Sequence, residues 1–339
     1  SNFTSIFIFY MTCYTNILKY EEIMNKKIVI IGGGTGLSYL IRKLKEFPVQ
    51  ISAIITVADD GSSTGKLREE FSIPAVGDIR QVLYNMSTLP KETKDILEYR
   101  FKTYSDLNGH ALGNLMLAAF YNKTNSLQDS ISYMSKLFDI NHKVLPISED
   151  YLTLLAEDEN GNVIEGEDNI GHTKNQIKKI YYKEKVKINK NVLQEIKEAD
   201  LIVFSMGSLY TSLLPNLIVP ELQKAIKMSD AKVLYVCNAV NEPGETKNYK
   251  VSDFLKTIEK HLGFKRLDAV IIGDNKKVSK EMLNRYLKEE GKELVKLDRK
   301  EVEKMGVEIL NENIITTVDG TIKHDSFKLA LVIFNYLMR

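Results

Sequence analysis

The chain has 339 residues, enough for about two domains or one large one at roughly 150 residues each, with a core that needs neither metal nor disulfide. Hydrophobic residues make up 44% and charged residues 27%, which excludes a disordered chain, a collagen-like chain and a multi-span membrane protein. The 46 Lys+Arg against 45 Asp+Glu give a net charge of +1. Without a basic excess, duplex DNA or RNA is not the expected main partner, although a local basic pocket for a small anion stays open. Cys13 and Cys237 are the only cysteines; they build neither a disulfide framework nor a zinc site, which fits a reducing cytoplasm.

In chain order, Ser1 to Glu22 carries a short apolar patch, Ile6–Tyr10. It lacks the length of a membrane span and the basic start of a signal peptide. Met24 reads as the natural start, with residues 1–23 an upstream, poorly ordered segment; an N-terminal helix packed on the surface is the alternative. Ile28–Ile31 is an apolar run of the kind a strand buried on both faces requires. Gly32-Gly33-Gly34-Thr35-Gly36 follows, and Leu37, Leu40, Ile41 and Leu44 recur at helical spacing. Ile51–Val57 is a second strand. Helices are predicted over Asp78–Met86, Leu112–Tyr121, Leu217–Lys227, Phe254–Leu262 and Phe327–Leu337, and strands over Leu201–Phe204, Val233–Cys237 and Ala269–Ile272. The alternation predicts an α/β, Rossmann-like, doubly wound and mostly parallel sheet. Asn160-Gly161 centres a hairpin signal, so residues 143–187 are expected to form a small antiparallel β insertion within a core of 24–142 and 188–339.

The glycine loop after the first strand is the strongest local signal. Glycines let a phosphate approach the backbone, and the helix N-terminus supplies free N–H groups. Gly33, Gly34, Thr35, Gly36 and Leu37 are the candidate phosphate contacts. The dinucleotide fingerprint requires a glycine at position 37, where this chain has leucine, so the loop speaks for phosphate or nucleotide rather than for hydride chemistry. The bland alternative is a glycine-rich turn without a ligand. Asp59 and Asp60 close the second strand, where carboxylates suit Mg²⁺, ribose hydroxyls or a turn cap. Ser62 and Ser63 add donors. Asp78 reads as an N-cap or a third metal carboxylate, and Arg80 as a fork for phosphate. His110 is a structural histidine or a general base, with Asn114 nearby. Gly207, Ser208 and Thr211 form a second candidate cradle, and Asn238 ends another strand. Asp59, Asp60 and His110 are the only catalytic candidates.

Six segments taken together resemble one family: Gly32-Gly-Gly-Thr-Gly-Leu-Ser38, Ala58-Asp-Asp-Gly-Ser62, Gly77-Asp-Ile-Arg80, Gly109-His-Ala-Leu-Gly-Asn114, Gly207-Ser-Leu-Tyr-Thr-Ser212 and Pro243-Gly-Glu-Thr246. They resemble the gluconeogenesis factor (YvcK) family, related to the 2-phospho-L-lactate transferases. The resemblance implies a cytoplasmic protein that binds UDP-sugars such as UDP-N-acetylglucosamine. It also implies a role in growth on gluconeogenic carbon, cell shape and peptidoglycan synthesis, with no established reaction and no required cofactor. Cell-wall synthesis proteins and a Ser/Thr kinase are the implied partners. Lys323-His-Asp-Ser326 matches a segment that reads Arg-His-Asp-Thr in relatives; it implies that Lys323 meets the ligand and that Ser326 is open to phosphorylation. Lysine lacks arginine's planar two-pronged donor. The transferase branch implies a Mg²⁺-dependent transfer of a phospholactyl group from a guanylyl diphosphate donor to a flavin-like alcohol, and NAD in the same groove is a further alternative. A homodimer is the base-rate expectation.

Overall fold

A computed structural model describes residues 24–274 and 278–339; the expectation for residues 1–23, Cys13 included, lies outside them. β1 (Lys27–Gly32) is buried from Ile28 onward. Each fully buried aliphatic of this run contributes about 1.5–3 kcal/mol. β2 (Gln50–Ile55) pairs with β1 in parallel on one side and β7 (Leu201–Phe204) on the other. Beyond β2 lies β3 (Lys143–Pro146). Beyond β7 lie β8 (Lys232–Val236), β9 (Ala269–Gly273) and β10 (Glu308–Glu312), so the seven strands are parallel in the order β10-β9-β8-β7-β1-β2-β3. The order reverses between β1 and β7. Crossovers leave opposite faces there, and a crevice opens at the carboxyl ends of the two strands. The fold class read from the alternation of elements is the one observed.

α1 (Gly34–Leu44) buries Leu37, Leu40, Ile41 and Leu44, the face its spacing predicts. It packs on α3 (Gly77–Met86) and on the C-terminal helix (Ser326–Leu337). α2 (Ser62–Phe71) follows β2, and α4 (Leu112–Thr124) crosses α3.

The antiparallel unit is smaller than 143–187, because Lys143–Pro146 is an edge strand of the main sheet. It consists of β4 (Leu154–Asp158), β5 (Val163–Glu165) and β6 (Ile177–Tyr182) in the order β5-β4-β6. Asp158 Oδ1 accepts the N–H groups of Asn160 at 2.9 Å and Asn162 at 2.8 Å and so shapes the predicted turn. α5 (Glu167–Gly171) lies between β5 and β6. A second hairpin, β11 (Ile315–Val318) with β12 (Thr321–His324), leads into the C-terminal helix. No described helix is long and apolar enough to cross a membrane.

Candidate functional site

The turn after β1 carries the first half of the site. Gly33 precedes α1 without a side-chain cap, and no acidic residue occupies the helix's first turn. Gly34 has φ +60, which a β-carbon resists. At Gly36 an added Cβ would lie 2.1 Å from the Met206 carbonyl oxygen, so the turns after β1 and β7 touch backbone to backbone. Thr35 is exposed and Gly34 and Gly36 half-buried, leaving the α1 N-terminus accessible. The Leu37 side chain is fully buried in the core, so a ligand contact there would be made by its backbone.

Asp78 is not the N-cap of α3, a place taken by Val76. Its carboxylate reaches across to the first turn, where Oδ2 would lie 2.7 Å from a Cβ on Gly33 and the Gly34 N–H donates to it. Burial, reinforced by the charge of Asp59, pushes its pKa up to about 7. Asp59 is raised as well, by burial first; its carboxylate accepts the Gly61 N–H at 3.0 Å and the Thr64 hydroxyl. Asp60 departs from the expected carboxylate trio. Its two oxygens accept the N–H groups of Asp168 at 2.8 Å and Glu167 at 3.2 Å, so it caps α5 and ties the insertion to the end of β2. The third acid is Glu167, which the sequence reading missed. It lies half-buried beside the Thr211 hydroxyl, and burial together with Asp59, Asp78 and Asp60 pushes its pKa to about 8. Among the described residues no group of three or more His, Cys, Asp or Glu side chains is arranged to hold a metal ion by itself.

The turn after β7 differs from the expected second bare cradle. Leu209–Leu213 is a single π turn with Ser208 as its cap. Ser208 Oγ accepts the Thr211 N–H at 3.0 Å and its hydroxyl at 2.6 Å, and donates to Glu245 Oε1 at 2.6 Å. The N–H groups of Leu209 and Tyr210 face the Glu245 carboxylate closely enough to favour its charge, but Oε2 is buried and makes no hydrogen bond among the described residues. Burial raises its pKa to about 7 despite these contacts. Ser208 and Thr211 are therefore occupied within the protein, and of that turn Met206 and Gly207 line open space. Asn238 donates to the Gly207 carbonyl at 2.6 Å.

That space is a cavity of about 310 Å³ at the carboxyl ends of β1, β7 and β8. Thr35, Gly36, Gly207 and Asn238 line one side; Lys292, Lys323 and His324 line the other. The structure thus joins the first turn, Gly207, Asn238 and Lys323 from separate parts of the chain. Lys292 is balanced by Glu242 and Glu290, each at 3.3 Å, whereas Lys323 has no ion-pair partner among the described residues.

Ser63, His110 and Asn114 also meet, but as a buried cluster: Ser63 Oγ is 2.9 Å from His110 Nδ1 and accepts from Asn114 Nδ2 at 3.3 Å. Ser62 is exposed at the start of α2. Arg80 is 3% exposed, and its only ion pair among the described residues is with Glu98 at 3.5 Å. Its Nε and Nη1 make no hydrogen bond among the described residues, although Asp78 and Asp59 lie within electrostatic reach. Ser326 is buried at the first turn of the C-terminal helix, which Asp325 caps.

The chain is 40% identical over 312 residues to the gluconeogenesis factor of Bacillus subtilis, covering 92% of this chain and 98% of that protein. It is 39% identical to the gluconeogenesis factor of Halalkalibacterium halodurans, covering 90% and 94%. A crystal structure of a UPF0052 family protein from Bacillus halodurans superposes with a TM-score of 0.88 at 39% identity, over 91% of this chain and 99% of that one. The profile of CofD, 2-phospho-L-lactate transferase, matches residues 28–315, a span that holds both turns, the acidic residues and the insertion. The glycine turn at the topological switch, the acids beside it and these likenesses lead to one conclusion: the chain belongs to the CofD family and, within it, is similar to the gluconeogenesis factors.

Proposed function

We propose that the chain is a cytoplasmic regulatory protein that binds a nucleotide sugar of the UDP-N-acetylglucosamine type and ties cell-wall homeostasis to growth on gluconeogenic carbon. The observation that carries the reading is the cavity between the first turn and Lys323. A helix N-terminus whose own N-cap, Gly33, brings no side chain, with Asp78 at the Gly34 N–H, and an unpaired ammonium face the same space; the free amides and the ammonium favour the charge of a diphosphate. Asn238 and the β12 side supply polar groups for the neutral parts of the ligand. The names of the similar proteins agree with a factor for gluconeogenic growth. Thermal unfolding with UDP-N-acetylglucosamine tests the reading. Ligand at 100 times its Kd should add about 2.7 kcal/mol of stability; no shift at millimolar ligand, with or without Mg²⁺, overturns it.

A second reading, a Mg²⁺-dependent phospholactyl transferase, is favoured by one observation. Asp59, Asp78 and Glu167 crowd negative charge beside the phosphate-binding turn, and burial raises all three pKa values. Mg²⁺ needs only one or two carboxylates when phosphate oxygens complete its shell. Asp59 and Asp78 fit that role, and the ion would supply neutralisation of the diphosphate. A phospholactylated product formed from a guanylyl diphosphate donor and a deazaflavin alcohol would establish this reading over the first.

A further inference from the structure

A second cavity, of about 460 Å³, lies where α1 and α3 finish and β3 begins, at the end of the sheet opposite the glycine turn. Lys45, Ser87, Thr88, Lys94 and His142 line it. Lys45 is the C-cap of α1, and its Nζ donates at 2.6 Å to the carbonyl of Ser87, the C-cap of α3. Lys94 Nζ stands 4.8 Å from the centre of the Tyr84 ring. Both lysines are half-buried and anchored, and neither has an ion-pair partner among the described residues.

The carboxylates nearby are engaged elsewhere. Glu46, exposed at the rim, pairs with Lys43 at 2.8 Å. Asp95 pairs with Lys91 at 2.5 Å and accepts the Tyr84 hydroxyl at 2.8 Å. Asp139 accepts the Thr88 hydroxyl. His142 brings no charge: the Ile51 N–H donates to its Nδ1 at 3.3 Å, so the neutral ring carries its proton on Nε2, and burial together with the Lys45 charge lowers its pKa. Two ammonium groups thus share one cavity without a counter-ion. Burial, then the charge of Lys94, lowers the pKa of Lys45 to about 8. Charges withdrawn from water without a partner are costly, and like charges repel more strongly there than in bulk water. A dianion removes both costs.

We propose that this cavity binds a small phosphomonoester, its phosphoryl group bridging the Lys45 and Lys94 ammonium groups. A phosphomonoester concentrates a charge of about −1.5 to −2 at pH 7 on one group, which suits two lysines better than a single carboxylate does. The cavity is large enough to hold a small organic body beside the phosphoryl group. It is separate from the nucleotide cavity. The 11 residues of α1, roughly 16 Å of helix, run from one to the other, with Thr35 and Gly36 lining the first and Lys45 the second.

The test is calorimetric titration and thermal unfolding of the full chain with inorganic phosphate and with glucose 6-phosphate, at an ionic strength held constant with sodium chloride. Both ligands should bind and should raise the unfolding midpoint beyond the rise in chloride alone. Lys45→Gln keeps a donor for the Ser87 carbonyl and removes the charge; Lys94→Met keeps the bulk over Tyr84. Each should weaken binding about tenfold or more, as loss of one hydrogen bond to a charged group implies. Without phosphate, Lys94→Met should unfold at the wild-type midpoint or above it, because a repulsion is removed. A lower midpoint would show that the ammonium is already compensated and overturns the proposal. So does a wild type that responds to phosphate no more than to chloride, or phosphate affinities equal in the wild type and both variants. Should Lys45→Gln fail to unfold cooperatively, Lys94→Met decides alone. Failure here leaves the nucleotide reading intact, because neither lysine lines that cavity; UDP-N-acetylglucosamine titrated into the same variants tests it separately.

Discussion

The turns after β1 and β7 are similar in sequence, each a glycine–hydroxyl stretch that opens a helical segment, yet they finish in opposite states. The first leaves the start of α1 without a side-chain cap apart from the reach of Asp78. The second is filled from within: the Thr211 amide is bonded to Ser208, Ser208 donates to Glu245, and the Leu209 and Tyr210 amides face that buried carboxylate. A glycine turn therefore creates a capacity for anions, and a residue remote in sequence decides whether that capacity is open. In the second turn an internal carboxylate faces the amides, and the open space is the cavity that Gly36 and Gly207 border from one side and Asn238 and Lys323 from others.

The most severe way to break this contrast is Gly36→Val. Its Cβ would meet the Met206 carbonyl, which is backbone and cannot turn aside. Urea unfolding should show a loss of about 3 kcal/mol or more; unchanged stability would mean the two turns do not touch. Next is Glu245→Ala, which strips the second turn of its internal anion. It should cost about 2 kcal/mol, and added sulfate should recover more stability in this variant than in the wild type. Equal recovery would show that the second turn has no anion capacity.

A pH series sharpens the first turn. Asp78, Glu167 and Glu245 keep their protons to about pH 7, 8 and 7 in the folded chain, against ordinary values of 3.8, 4.5 and 4.5. Between those limits the folded state binds more protons than the unfolded one. Stability should thus be greatest at the acid end of this window, fall as pH rises from about 4 to 8, and level off above. Asp78→Asn should flatten that slope and raise stability at pH 8 by about 1 kcal/mol, discounted because the carboxylate is partly exposed. A slope unaltered by the variant would remove Asp78 as a contributor. The smallest effect is expected for Ser63→Ala, which leaves the His110 ring without its hydroxyl partner: about 1 kcal/mol in chemical unfolding, with nucleotide affinity unchanged. Lost affinity would move the Ser63–His110–Asn114 cluster from support into the site itself.

The strand and helix alternation was legible because β1, β2 and β7 are continuous apolar runs and α1 repeats at helical spacing. The switch point was foreshadowed by glycine turns after two such runs. β3 was misplaced because Lys143–Pro146 is short and lies at the sheet edge, next to the insertion it was grouped with. The Asp319-Gly320 turn of β11–β12, with both residues at positive φ, carried a hairpin signal that went unread. Of the site, Gly33 to Gly36, Gly207, Asn238 and Lys323 were named from sequence. Glu167 was not, because an acid after a hairpin looks like any helix start until Asp60 draws α5 beside β2. Glu245 was quoted inside a motif without a role, since only the folded chain places it under Leu209 and Tyr210.

The neck of the insertion has a further consequence. Ser148 Oγ donates to the Lys187 carbonyl at 2.6 Å, Lys187 N–H to Asp150 at 3.0 Å, and Thr153 N–H to Glu184 at 2.7 Å, so the outgoing and returning strands are stapled together where they leave the sheet. A module joined through such a closed collar is a natural unit of evolutionary exchange. It can lengthen, shorten or be swapped at its far tip while the parallel sheet keeps its register, and the chemistry that Glu167 brings can change without any strand of the scaffold being rebuilt.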